Sequence, residues 1–264
     1  MLRHATAPDG VRIACEVSGA GPALVLVHGA GAGRWGFDLL RPHLDERFTV
    51  IALDRRGRGD SEDAPGYALE QELEDVAAVV RDAAGMGSTG VVLVGHSYGG
   101  LLAAGAAQTV DGLSCLVLYE PPMGGVLAEP AATERWERLI QRGERERMVT
   151  EFLGDVGGYS HDEIDALRET PLWEKRLAVA STVARELRAE NAFRLDTARL
   201  ADLRVPTLMM VGSESPAWAR RSTEAYATAI PGATVRTLEG EGHGAALSAP
   251  QLVASEIVRF CSAQ

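Results

Sequence analysis

The segment 95–100, GHSYGG, holds a serine between glycines. The apolar run VVLV precedes it and the small-residue run LLAAGAA follows it, which predicts a strand, a sharp turn and a helix. In a G-x-S-x-G turn of this kind the serine is held in a strained conformation that projects its Oγ, and the next backbone N–H can stabilise an oxyanion. The pattern predicts Ser97 as a nucleophile and the amide of Tyr98 as an oxyanion donor.

A second glycine-rich segment, EGEGHG at 239–244, holds a histidine just before the last helical pattern of the chain. Glycines on both sides let the ring approach a serine without steric crowding. As a general base, His243 would take the Ser97 proton and later return it to the leaving group.

The loop HGAGAG at 28–33 follows the apolar run LVLV and has two interpretations. It could supply a second oxyanion amide, from Ala30, with His28 at the edge of the substrate pocket. It could also bind a dinucleotide, since Asp54 ends the next predicted strand where a ribose-binding acid would lie. A G-x-G-x-x-G pattern starting at Gly29 needs glycine at position 34, where Arg34 stands. The spacing favours the oxyanion loop.

Strands and helices alternate around these loops. Continuous apolar runs are typical of strands buried on both faces of a parallel sheet, and they occur at 24–27, 48–53, 91–94, 113–119 and 207–211. Between 121 and 200 only charged helical patterns occur. We therefore expect an α/β core domain from 1–120 and 201–264, interrupted by a helical cap, or lid, at 121–200.

Composition restricts the partners. The chain has 264 residues, 46% hydrophobic and 24% charged, with a net charge of −11 that disfavours nucleic acid and anionic membranes. Its N-terminus has no apolar signal segment, and no apolar run is long enough to span a bilayer. Three cysteines without metal-ligand spacing suit reduced thiols. We expect a cytoplasmic protein with a small-molecule substrate; the oligomeric state, monomer or homodimer, stays open.

The segments HGAGAG, DRRGRGDS (54–61), GHSYGG and EGEGHG stand in the order that the α/β-hydrolase superfamily uses, and the chain resembles that superfamily over nearly its whole length. The resemblance implies an α/β-hydrolase fold with a mostly parallel eight-stranded sheet flanked by helices, a helical cap, and hydrolysis without a cofactor or metal. DRRGRGDS resembles a structural loop whose arginines brace other loops rather than bind substrate.

The acid that orients His243 has two candidates. The superfamily's usual position is 215, where this chain has a serine followed by Pro216, which predicts a helix cap. Glu214 is the carboxylate of that turn and is the alternative acid. Glu120 ends the strand LVLY beside the elbow strand, and Pro121 predicts an extended backbone there, at the same sheet edge as Ser97. The sequence favours Glu120, as in some dehalogenases and lactonases of the superfamily.

These residues predict a serine hydrolase that cleaves a carboxylic ester or lactone through an acyl-enzyme. C–C bond hydrolysis of a diketone acid is an alternative, and so is a receptor-like homologue with little or no turnover. We expect the cap to give the pocket large side chains that favour a small, mainly apolar substrate; the candidates are Trp136, Met148, Phe152, Tyr159 and Trp173.

Overall fold

The computed structural model describes residues 1–88, 90–124 and 127–263. The strands are β1 (Leu2–Thr6), β2 (Arg12–Gly19), β3 (Ala23–Val27), β4 (Thr49–Leu53), β5 (Val91–His96), β6 (Leu113–Tyr119), β7 (Thr207–Gly212) and β8 (Thr234–Leu238). These eight strands form one sheet in the order β1-β2-β4-β3-β5-β6-β7-β8, in which β1 and β2 are antiparallel to their neighbours and the other pairs are parallel. The predicted mostly parallel eight-stranded sheet is confirmed.

Helices cover both faces of this sheet. They are α1 (Arg41–Asp45), α2 (Leu69–Ala84), α3 (Tyr98–Ala106), α4 (Pro130–Gln141), α5 (Arg145–Asp155), α6 (His161–Arg168), α7 (Leu172–Ala192), α8 (Thr197–Leu200), α9 (Ala217–Ala229), α10 (Ala245–Ser248) and α11 (Pro250–Cys261). In β3, Val25 packs into the cluster under α2, α3 and α9, whereas Leu24 and Leu26 pack into the cluster under α1, α10 and α11. Because successive strand residues face opposite sides and both sides are covered, the strands read as continuous apolar runs.

Helices α4–α7 lie between β6 and β7 in the chain and share a separate hydrophobic cluster. Trp136 and Met148 are fully buried at its centre. Leu195 and Leu200, by contrast, pack into the cluster between the sheet and helices α2, α3 and α9. The inserted helices, defined by this packing, therefore end with α7, and α8 belongs with the sheet.

The parallel strands bring their carboxyl ends to one edge. Val27 pairs with Gly95, His96 with Tyr119, and Tyr119 with Met210. The loops that follow β3, β5, β6 and β7 therefore leave the sheet side by side, which is where open α/β sheets bind ligands. In the described ranges no helix is both long and apolar enough to cross a membrane.

Candidate active site

Ser97 lies in a strained turn between β5 and α3, with φ 53° and ψ −128°. A positive φ is rare for a residue with a Cβ and is kept where the surroundings enforce it. Glycine is required on both sides: a Cβ on Gly95 would lie 2.4 Å from the Gly99 carbonyl oxygen, and one on Gly99 would lie 2.2 Å from that of Val27. The turn thus holds Ser97 where it lines a cavity at the sheet edge.

The loop after β3, residues 28–33, runs directly beside Ser97, and we call it the oxyanion loop after the role that the sequence predicts for it. A Cβ on Gly29 would lie 3.0 Å from the Ser97 Cβ, a tight contact that glycine avoids at this close approach of the two segments. Ala30 and Tyr98, the two predicted oxyanion residues, line the same cavity as Ser97. Tyr98 is also the first residue of α3, so its N–H has no acceptor within the helix.

His28 lines this cavity, but both of its ring nitrogens are engaged. Its Nδ1 is 2.9 Å from the Gly29 carbonyl oxygen, and the Arg55 backbone N–H donates to Nε2 over 3.1 Å. Burial, with the Arg55 and Arg58 charges, lowers the pKa of His28 well below its usual value. A neutral His28 therefore ties the oxyanion loop to the loop after β4.

Glu120 lies against His243. It is fully buried at the end of β6, and its Oε2 is 2.5 Å from the His243 Nδ1. Its Oε1 accepts from the Gly212 N–H over 2.7 Å and from the Ser215 hydroxyl. We call Glu120, His243 and Ser215 the triad network. Hydrogen-bond donors reach both oxygens of the Glu120 carboxylate, which fixes the orientation of the carboxylate toward the imidazole.

The backbone at Glu120 differs from the sequence expectation. Its φ is 48°, in the left-handed region, and not extended. A following proline disfavours the right-handed helical region, but it does not exclude the left-handed one. Within the described ranges, Ser97 and Glu120 are the two non-glycine residues with positive φ, and such strain clusters at functional sites.

The turn after β7 is also organised differently from the expectation. α9 begins at Ala217 with Pro216 at its N-cap, and the Ser215 hydroxyl donates to Glu120 instead of capping the helix. Glu214, the alternative acid, is exposed, and its carboxylate accepts from Ser213 over 3.2 Å. The structure brings Glu120 to His243 and leaves Glu214 at the surface.

Three aromatic side chains hold the histidine loop. His96 Nε2 donates to the His243 carbonyl oxygen over 2.9 Å, and Tyr119 donates to the Gly242 carbonyl oxygen. The Trp218 ring meets the His243 ring edge-on, with 5.2 Å between centroids. Burial and the neighbouring His243 lower the pKa of His96 well below its usual value, so a neutral His96 is the donor.

A family model for the alpha/beta hydrolase family matches residues 24–256. The chain belongs to the alpha/beta hydrolase family. It is 30% identical to the pimeloyl-[acyl-carrier protein] methyl ester esterase of Stenotrophomonas maltophilia strain K279a, over 94% of this chain and 96% of that one.

Solved structures of the family superpose closely on this α/β hydrolase. An alpha/beta hydrolase from Sphaerobacter thermophilus is 36% identical, with a TM-score of 0.84 over 98% of this chain and 99% of that chain. A thermophilic esterase from Thermogutta terrifontis is 26% identical, with a TM-score of 0.77 over 100% of this chain and 98% of that chain. Proteins named as ester hydrolases thus stand among its relatives in both sequence and structure.

The cavity of the α/β hydrolase is narrow, with a volume of about 60 Å³. Two of the five side chains predicted for the pocket, Phe152 of α5 and Tyr159 between α5 and α6, line it. Trp136, Met148 and Trp173 do not; they are buried in the cluster shared by α4–α7. Trp136 meets the Phe152 ring edge-on at 5.9 Å, so it supports the cavity wall from behind.

Sequence reasoning missed two charged residues that line the cavity, Arg176 and Glu190. Both lie on the buried face of α7. That face repeats at helical spacing, with buried side chains at Trp173, Arg176, Ala180, Val183, Leu187 and Glu190. Charged residues at positions of this otherwise apolar face could have indicated, from the sequence, that Arg176 and Glu190 are buried.

The arginines of the 54–61 loop form ion pairs inside the protein. Arg55 pairs with Glu72 of α2 at 2.5 Å and with Glu186 of α7 at 3.1 Å, and Arg58 pairs with the same two carboxylates. We call these four residues the paired cluster. Arg55 also donates to the Gly29 carbonyl oxygen over 3.1 Å, so the cluster joins α2 and α7 to the oxyanion loop. Across residues 1–88, 90–124 and 127–263, no group of three or more His, Cys, Asp or Glu side chains is arranged to hold a metal ion.

Proposed function

We propose that this α/β hydrolase is a serine esterase that cleaves a carboxylic ester or lactone of a small substrate through an acyl-enzyme on Ser97. The contact of 2.5 Å between Glu120 and the His243 Nδ1, in a site where Ser97 and His243 line one cavity, carries the proposal. The strained backbone at both Ser97 and Glu120 supports it independently.

In this mechanism the Ser97 Oγ attacks the substrate carbonyl carbon while the His243 Nε2 takes the Oγ proton. Glu120 holds Nδ1–H, which fixes the tautomer and stabilises the imidazolium. The amides of Ala30 and Tyr98 donate to the developing oxyanion. His243 then protonates the departing alkoxide, and a water that it deprotonates cleaves the acyl-enzyme, releasing the acid and restoring Ser97.

The cavity lining supports a small acyl group. Leu127, Phe152, Leu153 and Val156 give it a largely apolar wall. The accessible space would hold only a few water molecules, so a long rigid acyl group requires α4–α7 to move. The inserted helices would then act as a cap over the site. The two relatives named as esterases support ester substrates.

A diketone acid cleaved at a C–C bond is the second candidate, because it would use the same nucleophile and base and also carries a carboxylate. Arg176, a cation in the cavity wall, is the observation that favours it. Loss of the diketone absorbance during incubation with the enzyme would identify this activity.

Covalent labelling and an activity screen test the proposal. We expect a fluorophosphonate to add one label to the wild type and none to Ser97→Ala, measured by intact mass. A panel of p-nitrophenyl esters and lactones should show turnover that Ser97→Ala abolishes. An unlabelled wild type would overturn the esterase mechanism and favour a receptor-like homologue.

We also propose a cytoplasmic location. Cys15, Cys115 and Cys261 are all free, as expected for thiols in a reducing compartment.

A further inference from the structure

Arg176 differs from the other deeply buried arginines. Arg55, Arg56 and Arg58 each form an ion pair with a buried carboxylate. For Arg176, which is 7% exposed, the described residues supply no carboxylate partner. Its Nη1 donates to the Gly31 carbonyl oxygen over 3.2 Å, and its Nε has no hydrogen-bond partner among the described residues.

An unpaired buried cation is costly. Removing a guanidinium from water without a counter-charge destabilises the folded state, and buried charges are normally paired for that reason. Burial lowers the pKa of Arg176, in line with this cost, but arginine stays protonated at any physiological pH. The cavity wall therefore carries a permanent positive charge without an internal counter-ion.

Arg176 is held close to the reacting centre. Its hydrogen bond reaches the oxyanion loop at Gly31, and its guanidinium lies 5.4 Å from the centre of the Trp35 ring. It lines the same cavity as Ser97. Its charge also acts, after burial and His243, to lower the pKa of His96, the residue before the nucleophile.

The other charged residue of α7 in this wall would not repel an anion. Glu190 is fully buried, and neither of its carboxylate oxygens has a hydrogen-bond partner among the described residues. Burial, reinforced by Glu186, raises the pKa of Glu190 to about 8, so it is mostly protonated at neutral pH. Fourteen residues of helix also separate it from Arg176, roughly 21 Å along the axis.

We infer that Arg176 binds a carboxylate of the substrate, so that the substrate is an ester or lactone of a short acid that carries a second, free carboxylate. The inference rests on the proposed esterase function. A guanidinium that lines the cavity and has no internal carboxylate partner can bind a substrate carboxylate through two parallel hydrogen bonds, which a neutral ester cannot offer. The narrow cavity favours a short chain between the two carbonyl groups.

A matched pair of substrates tests the inference. Monomethyl glutarate and methyl pentanoate differ in one terminal group, carboxylate against methyl. We expect the wild type to favour monomethyl glutarate in kcat/KM. Arg176→Met should lower the kcat/KM for monomethyl glutarate, relative to that for methyl pentanoate, by about 10²-fold, the scale of losing one partner of a buried charge pair. Arg176→Lys, which keeps the charge without the planar fork, should restore part of the ratio.

The control is Arg188→Met on the same helix, because Arg188 is exposed and pairs with Glu137 at the surface. It should leave the ratio unchanged. Thermal unfolding checks the fold: Arg176→Met removes an unpaired buried cation, so its Tm should not fall. A ratio unchanged in a folded Arg176→Met, or a wild type that prefers methyl pentanoate, would overturn the inference.

Binding separates this inference from the proposed function. In Ser97→Ala, calorimetry should detect monomethyl glutarate, and adding Arg176→Met should abolish the signal. If fluorophosphonate fails to label the wild type but this binding is observed, the esterase mechanism fails and the carboxylate site stands. If labelling succeeds and monomethyl glutarate does not bind, the carboxylate site fails alone.

Discussion

Two buried networks of this protein are built from similar groups but respond differently to a change of charge. The paired cluster joins two arginines to two glutamates, and the triad network joins one glutamate to a histidine and a serine. The carboxylates of the paired cluster, Glu72 and Glu186, and that of the triad network, Glu120, are each at most 1% exposed. Burial therefore does not distinguish them. Their difference lies in which charges can change.

In the paired cluster, Glu72 and Arg55 keep their charges near neutral pH. Burial alone would raise the pKa of Glu72, but the charges of Arg55 and Arg58 dominate and hold it at about 2. The pKa of Arg55 is raised well above its usual value by Glu72 and Glu186, against the effect of burial. Glu72 and Arg55 therefore keep opposite charges at neutral pH, and their ion pair stabilises the arrangement of α2 and the oxyanion loop.

In the mechanism that we propose, the imidazole of His243 is the group of the triad network that gains and loses a proton. Glu120 holds Nδ1 of His243, which leaves Nε2 for the cavity that Ser97 also lines. The comparison teaches that a permanently charged pair locks elements together, whereas a carboxylate paired with imidazole prepares a proton transfer. Substitutions in the first network should change stability, and those in the second should change rate.

The largest expected effect is on the triad network. We expect Glu120→Gln to lower kcat by about 10³–10⁴, because the amide no longer fixes the tautomer or stabilises the imidazolium. The measurement is steady-state hydrolysis of an activated ester. The matched control is Glu214→Gln, a change to an exposed carboxylate that should alter kcat little. A large loss at Glu214 with near-normal activity at Glu120 would reassign the acid.

The paired cluster should give the opposite response. We expect Glu72→Gln to lower the free energy of unfolding by about 3–5 kcal/mol, because it leaves Arg55 and Arg58 partly uncompensated in the interior. The kcat of the folded fraction should change only a few-fold. Denaturant unfolding measures the first quantity, and Glu70→Gln, on the exposed face of the same helix, is the control.

The pH dependence sharpens this prediction. The pKa of Glu72 is lowered in the folded protein. The ionised carboxylate therefore contributes fully to the free energy of unfolding above pH 4.5, the ordinary pKa of glutamate, and this contribution is lost as the pH falls toward about 2. The stability difference between wild type and Glu72→Gln should therefore be constant from pH 7 to about 5 and shrink below that. A difference that stays constant down to pH 3 would show that Glu72 acts through packing instead of charge.

The sequence predicted most of the fold and the centre of the site because both depend on local patterns. Apolar runs of strand length predicted the sheet, and the glycines around Ser97 and His243 predicted two loops at one edge. Glu120 could be selected because it ends the strand beside the elbow strand. Its left-handed backbone could not, because proline at the next position leaves that region open.

What escaped prediction depends on partners distant in the chain. Arg176 stands in a helix rich in charged residues, and nothing local shows that it, unlike Arg188, has no carboxylate beside it. Likewise, Trp136 and Phe152 have the same character in sequence, but one faces the core of the inserted helices and the other the cavity. Helical spacing gives the buried face, whereas the choice between core and cavity requires the neighbouring helices.

Ser215 gives the smallest and finest test of the comparison. A serine before proline predicts a helix cap, yet its hydroxyl donates to the Glu120 Oε1, which the Gly212 N–H also reaches at 2.7 Å. Ser215→Ala should therefore lower kcat by about 10-fold, since losing a hydrogen bond to a charged group costs about 1.5–3 kcal/mol and the Gly212 amide retains part of it. Ser255→Ala, which removes an exposed hydroxyl that donates to the Gln251 carbonyl oxygen within α11, is the control. If Ser215→Ala instead lowered Tm and left kcat unchanged, the serine would belong to the fold and the triad network would reduce to Glu120 and His243.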